Sequence, residues 1–178
     1  MIVERFKSRL VIDKTWCGCA LSEDEHAHLS LHLSETQLVI DVDAPFYCDP
    51  SPDGPVGTTW ALWEHEVMEI FILGEQERYL EVELGPYGHY LLLLLEGQRN
   101  IIARDLPMKF HREIEGGRWR GRSEIERKWL PKGDLKVNAY GIHGQGEERV
   151  HQACYALVGD RPDFHQLSAC RPIRWTEG

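Results

Sequence analysis

The feature that most constrains this chain is a two-residue rhythm. Apolar residues recur at alternate positions in one short run after another, while the 3.6-residue spacing of a long helix is almost absent. "HLSLHLS" puts Leu29, Leu31 and Leu33 on one face, and "QLVIDVD" does the same for Leu38, Ile40 and Val42. The two runs predict a hairpin across Ser34–Thr36. Further strands are expected at about 66–73, 79–84 and 89–95, with turns at 74–78 and 85–88. "KFHREIE" and "RWRGRSEIE" flank Gly116-Gly117, a hairpin signal, and "KVNAYGIHG" pairs with "RVHQACYALV". "RKWLPKGD" is the one short helix or 3₁₀ turn expected. The tail "DRPDFHQLSACRPIRW" reads as an irregular stretch ending in a strand. About ten short strands separated by Gly/Pro turns predict an all-β fold, a two-sheet antiparallel β-sandwich of jelly-roll type.

The segment "APFYCDPSPDGPVGTT" (44–59) carries four prolines and two glycines and reads as a long connection between sheets, not a domain linker. With 178 residues and no repeat, the chain is expected to form one domain, 1–178, large enough to bury a core without staples. A formal net charge of −9 argues against nucleic acid or an anionic membrane surface as partner, since both need a concentrated basic patch. The densest basic run, "RWRGRSEIERK", alternates like a strand and includes two glutamates, so it reads as a solvated face. "MIVERFKSRLVIDKTW" has no apolar signal region, and the five leucines Leu91–Leu95 are too few to span a bilayer. Five unevenly spaced cysteines argue against a disulfide framework and for a reduced, cytoplasmic setting. Cys17-Gly18-Cys19 lacks the spacing and second pair of a zinc site.

The chemistry is concentrated in "WEHEVMEIFILGEQERYLEVEL". If Leu73 pairs with Tyr79 across a five-residue loop, Glu69 lies opposite Glu83 and Phe71 opposite Glu81. One face then collects Met68, Ile70, Ile72, Leu80, Val82 and Leu84, a wholly apolar layer. The other collects Val67, Glu69, Phe71, Leu73, Tyr79, Glu81 and Glu83. A one-residue slip would bury the glutamates among the core residues, so this parity is favoured. Opposed carboxylates repel unless a cation, a basic neighbour or a polar ligand compensates. The mixed face is therefore a solvated surface with basic partners, a ligand-facing surface, or an acid/base site. A carboxylate pair is all that glycoside hydrolysis requires, but any acidic sheet supplies one. Glu66 falls at the edge of the apolar face and needs a backbone N–H, an Arg or a metal as partner.

Several motifs together, "DAPFYCDP", "LWEHEV", "YLEVELGPYGHYLLLLL", "VNAYGIHG" and "PDFH", resemble an uncharacterised family typified by the human chromosome 4 open reading frame 33 protein. More widely, the chain resembles carbohydrate-binding module family 9 and DOMON-like domains. The resemblance implies a β-sandwich. In sugar-binding members of that wider group two tryptophans sandwich the sugar, one of them six positions before a strand glutamate. Trp63 and Glu69 keep that spacing, with Glu66 between them, and Trp175 is the late candidate for the second tryptophan. The ligand-binding expectation is thus Trp63, Glu66, Glu69, Tyr79, Glu81, Glu83 and Trp175, facing a small polar ligand such as a carbohydrate. An enzyme using Glu66 or Glu69 as acid/base, or an interaction domain, are the alternatives.

No metal or cofactor is expected. Some DOMON relatives bind haem through Met and His, but Met68 reads as core. His26, His28 and His32 share one strand side and read as exposed positions. Asp41, Asp43, Asp49 and Asp53 fit no defined calcium loop. The "DFH" of the tail reads as a tail anchor.

Overall fold

The structure, a computed structural model, describes residues 6–177; part of the stretch read above as lacking a secretory signal lies outside them. In chain order the strands are β1 (Phe6–Ile12), β2 (Lys14–Thr15), β3 (Ala27–Leu33), β4 (Gln37–Pro45), β5 (Val67–Leu73), β6 (Arg78–Leu84), β7 (Tyr90–Glu96), β8 (Ile101–Ala103), β9 (Lys109–Glu115), β10 (Arg118–Glu126), β11 (Lys136–His143), β12 (Val150–Ala153), β13 (Arg171–Pro172) and β14 (Thr176–Glu177). Helical structure among the described residues is limited to three-residue 3₁₀ turns, one of them Arg127–Trp129. No helix there is long and apolar enough to cross a membrane.

Two antiparallel sheets form the sandwich. One runs β14-β1-β3-β4-β10-β9, and the other β2-β12-β11-β5-β6-β7-β8, with β13 also on β11. The expected hairpins are present, including β3–β4 and β9–β10. The Pro/Gly-rich segment carries the chain from β4 in the first sheet to β5 in the second, the sheet-crossing role its composition suggested. Strand β1 was not anticipated, although Ser8, Leu10 and Ile12 are buried at alternate positions in it.

Alternation builds the layer between the sheets. Leu29, Leu31, Leu38, Ile40 and Val42 meet Met68, Ile70, Ile72, Leu80, Val82 and Leu84, with Trp119 fully buried among them. Gly121 makes room for that indole: a Cβ there would lie 2.7 Å from the Trp119 ring and 2.9 Å from Phe110. The predicted register of β5 and β6 is the one observed, with Leu73 opposite Tyr79, Phe71 opposite Glu81 and Glu69 opposite Glu83.

The outer faces of the two sheets differ. On the six-stranded sheet the odd-even pattern is that of a solvated surface, with Arg120 and Arg122 exposed and Trp119, Gly121 and Ser123 buried. His32 departs from its expected exposure. It is 6% exposed, with Nε2 3.2 Å from the carboxylate of Asp41 on the neighbouring strand. The outer face of the eight-stranded sheet is covered by the tail and by the segment before β5. There Val67, Phe71, Leu73, Tyr79, Leu91, Leu93, Leu95, Tyr140 and Ile142 form a second buried cluster with Leu62 and Phe164. Burial on both faces explains why "VMEIFIL" and the leucine run of β7 are continuously apolar apart from Glu69.

Candidate functional site

The cover over the eight-stranded sheet leaves a cleft of about 570 Å³. That volume is of the size that holds a small organic molecule. Glu69 of β5 and Glu81 of β6 line its floor, with Leu93 and Leu95 of β7 and Ile142 of β11 beside them. Trp60, Trp63 and Glu64 form one wall, Pro162, Phe164 and His165 another, and Arg99, Arg149 and His151 complete the lining with Ile101.

The tryptophan wall is held by a short turn. Ala61 takes a left-handed conformation (φ 60°) at the start of a 3₁₀ turn over Leu62–Glu64, and Leu62 is fully buried as its anchor. Arg149 clamps the turn from above. Its guanidinium donates to the backbone carbonyl of Glu64 at 2.8 Å and to that of Trp63. Trp60 and Trp63 meet edge to face with ring centroids 5.0 Å apart, and Arg104 lies 4.2 Å over the Trp60 ring. Trp60 is 45% exposed and lines the cleft.

The tail wall is tied to the sheet at three points. Phe164 stacks on Tyr140 at 4.0 Å, and the Tyr140 hydroxyl donates to the Phe164 carbonyl. Asp163 accepts from Arg99 Nη2 at 2.6 Å and from the His165 backbone N–H at 3.1 Å. The Tyr79 hydroxyl meets His165 Nδ1 at 2.7 Å and accepts the Arg99 backbone N–H at 3.1 Å. The phenol oxygen accepts from Arg99, and directing its own hydrogen to His165 Nδ1 gives every group a partner, an arrangement that assigns the histidine proton to Nε2. Burial, with the Arg99 charge, pulls His165 down to about 4, so it is neutral near pH 7 and offers a fixed Nε2–H. The Glu81 carboxylate is 3.9 Å from that Nε2. This is beyond a hydrogen bond, and a neutral imidazole makes no ion pair there.

Three carboxyl groups are buried on this face: Glu69 at 2% exposure, Glu81 at 4% and Glu83 at 0%. Glu69 Oε1 has no hydrogen-bond partner. Burial, reinforced by the Glu81 charge and opposed by Arg149, pushes Glu69 well above the usual carboxylate range. Burial raises Glu81 to about 7. Glu83 also rises well above the usual range, through burial and then the charges of Glu69 and Glu81. The floor of the cleft therefore holds protons at neutral pH that an exposed glutamate would have lost.

The expected site residues divide. Trp63, Glu69 and Glu81 meet at the cleft. Glu83 lies opposite Glu69 in the register without lining the open space, and Tyr79 acts through His165. Glu66 and Trp175 do not join them. Glu66 points to the inter-sheet side, where its carboxylate accepts the backbone N–H of Tyr47 at 3.0 Å and of Asp49 at 3.2 Å. It has one of the partners its position demanded, and it pins the sheet-crossing segment to the start of β5. Trp175 is half-buried against the inter-sheet core. Among the described residues no group of three His, Cys, Asp or Glu could hold a metal ion. Asp41 and Asp43 pair with arginines, and Asp49 accepts from the Gly144 N–H at 2.6 Å.

Sequence reasoning missed Trp60, Arg99, Arg149 and Phe164, which sit in turns and in the tail, where no periodicity marks a facing direction. The "DFH" motif does anchor the tail, through Tyr79, and also supplies His165 to the cleft.

Among curated proteins, a zebrafish (Danio rerio) UPF0462 protein C4orf33 homolog is 40% identical over 154 residues, 80% of this chain and 78% of that protein. A mouse homolog is 37% identical over 173 residues, covering 91% and 88%. Human UPF0462 protein C4orf33 is 35% identical over 165 residues, covering 88% and 82%. The chain belongs to the UPF0462 family. No family model matches it. Among solved structures, a Bacteroides uniformis protein described as a candidate carbohydrate binder superposes with TM-score 0.66 at 13% identity, covering 91% of this chain and 83% of that one. A family 9 carbohydrate-binding module from Caldicellulosiruptor kristjanssonii, in complex with cellotriose, gives TM-score 0.53 at 10% identity over 94% and 77%. These likenesses show that this UPF0462 member shares the sandwich fold of that module family.

Proposed function

We propose that the protein binds a small polar ligand, in the first instance a carbohydrate, in the cleft over the eight-stranded sheet. The observation that carries this reading is the convergence of the Trp60–Trp63 wall with the buried carboxyls of Glu69 and Glu81 on one open concavity. An indole face covers the C–H face of a pyranose, while carboxyl oxygens and the fixed His165 N–H satisfy paired hydroxyls. The carbohydrate-binding neighbours support the reading through the fold they share. Tryptophan fluorescence titrated with a panel of monosaccharides and short oligosaccharides tests it. At least one sugar should give a saturable change that Trp63→Ala abolishes. Silence across the panel, or an unchanged response in the variant, would sink it.

A second reading, acid/base catalysis, is favoured by one observation: Glu81, raised to about 7, is poised to give or take a proton at neutral pH. Turnover of aryl glycosides, lost in Glu81→Gln, would establish it. A partner-docking role without a ligand is opposed by the volume of the cleft and the buried carboxyls in its lining. The proposal includes a reducing, cytoplasmic setting, supported by five free cysteines, three of them exposed.

A further inference from the structure

The carboxyls of Glu69 and Glu81 in the cleft, with Glu83 beside them, make no ion pair with an arginine or lysine among the described residues. Arg149, the cation acting on Glu69, donates to the carbonyls of Trp63 and Glu64 and forms no hydrogen bond to the carboxyl. Arg99, the cation acting on Glu81, is paired with Asp163. The other polar groups of the walls do not fill the gap. His165 is neutral, His151 is lowered by burial and by Arg149, and Tyr79 and Tyr140 are phenols raised by burial. Glu64, at the wall, adds a further carboxylate. If Glu69, Glu81 and Glu83 all ionised, one unpaired arginine would face three negative charges. Burial of charge on that scale is unfavourable unless a cation arrives or protons remain.

Glu69 is the group that points to a ligand. It lines the cleft, is 2% exposed, and its Oε1 has no donor. A neutral hydroxyl would satisfy the hydrogen bond but would not offset the charge that the cluster carries once its protons leave. An ammonium group satisfies both, with three N–H donors for the converging oxygens. A metal ion does not suit these residues, because no cluster among the described residues has the arrangement to hold one. The indole and phenyl walls and the leucines below them suit a compact carbon skeleton attached to that charge.

We propose that the cleft selects a protonated primary amine, in the simplest case an unacetylated amino sugar, with the ammonium seated between Glu69 and Glu81. The sugar part of this inference rests on the carbohydrate reading above, and the ammonium part does not. Binding displaces protons from the carboxyl cluster, so affinity rises with pH until the amine itself deprotonates.

Calorimetric titration with glucosamine, N-acetylglucosamine, glucose and cyclohexylamine, each in two buffers of different ionisation heat, tests the two parts separately. Glucosamine should bind at least about tenfold more tightly than N-acetylglucosamine or glucose, with net proton release. Glu69→Gln, shown folded by its melting curve, should bring glucosamine to within about twofold of glucose. Glu81→Gln provides the same reading from the other strand. Equal affinity for all three sugars would overturn the amine inference and leave the carbohydrate reading standing. Binding of cyclohexylamine without any sugar would support the amine inference and overturn the carbohydrate reading. Binding of none of the four would overturn both.

Discussion

The two sheets are built from the same alternating pattern, yet their outward faces treat a carboxylate in opposite ways. On the six-stranded sheet Asp43 is flanked by Arg118 at 2.6 Å and Arg120 at 3.3 Å. Partial burial would raise its pKa, but the hydrogen bonds and charges of the two arginines outweigh that and hold it below its ordinary value. On the eight-stranded sheet Glu69, Glu81 and Glu83 are buried under the tail without such partners and are all raised. A strand pattern fixes which residues leave the core together. It does not fix whether they leave for water or for a second interior. The cover decides that, and here it comes from the tail and from the segment before β5.

The largest effect should come from breaking the covered face. Phe71 is fully buried in the outer cluster and touches the rings of Tyr79, Tyr140 and His165. Phe71→Ala should cost about 3–5 kcal/mol in urea unfolding, the value of a true core position. A loss below about 1 kcal/mol, typical of a surface site, would mean that the tail does not cover the sheet in solution.

Next in size is the pH dependence, where the two faces have opposite signs. Glu81 titrates at about 7 in the folded chain against an ordinary value of 4.5. Between those values the folded state holds the extra proton, so stability falls as pH rises from about 4.5 through about 7. Glu69 and Glu83, raised further, extend the decline above that range. Asp43, lowered from 3.8, contributes stability at higher pH that is lost as pH falls below that value. Denaturant midpoints from pH 3 to 9 should therefore peak on the acid side of neutrality, and Glu83→Gln should flatten the alkaline limb by about 1 kcal/mol. A rise in stability from pH 5 to 8 would contradict the buried, protonated cluster.

A smaller effect tests the tail anchor. Tyr79→Phe removes the hydroxyl that donates to His165 Nδ1 and accepts the Arg99 N–H. It should cost about 1–2 kcal/mol, since a part-buried backbone N–H and a ring nitrogen both lose their partner. Nitrogen NMR should show the His165 tautomer change from pure Nε2–H to a mixture. An unchanged tautomer would remove Tyr79 from its positioning role.

Much of the fold was legible because periodicity and register are local properties. Leu73–Tyr79 pairing follows from a loop length and a face assignment, and the structure has it. Strand β1 was legible in principle and was overlooked, since Ser8 and Arg9 dilute its apolar rhythm. The candidate site was half legible. Glu69 and Glu81 follow from register, and Trp63 from the family resemblance. Arg149, His165 and Phe164 come from segments whose direction is set by long-range contacts, 86 residues apart for Tyr79–His165. Glu66 could be placed on the right side of the strand, but only the fold shows that two backbone N–H groups are its partners.

The smallest predicted effect is on the solvated face. Lys109 of β9 and Glu124 of β10 face each other across the hairpin at 3.4 Å, with the lysine side chain 71% exposed. Water screens such a pair, and holding two long side chains together costs conformational entropy that offsets the attraction. Lys109→Ala should therefore change stability by less than about 0.5 kcal/mol, and ligand affinity not at all. The same substitution also separates the two faces as binding surfaces. Any loss of ligand response in Lys109→Ala, with the fold intact, would move the site from the covered face to the charged one and undo the comparison on which the assignment of the cleft depends.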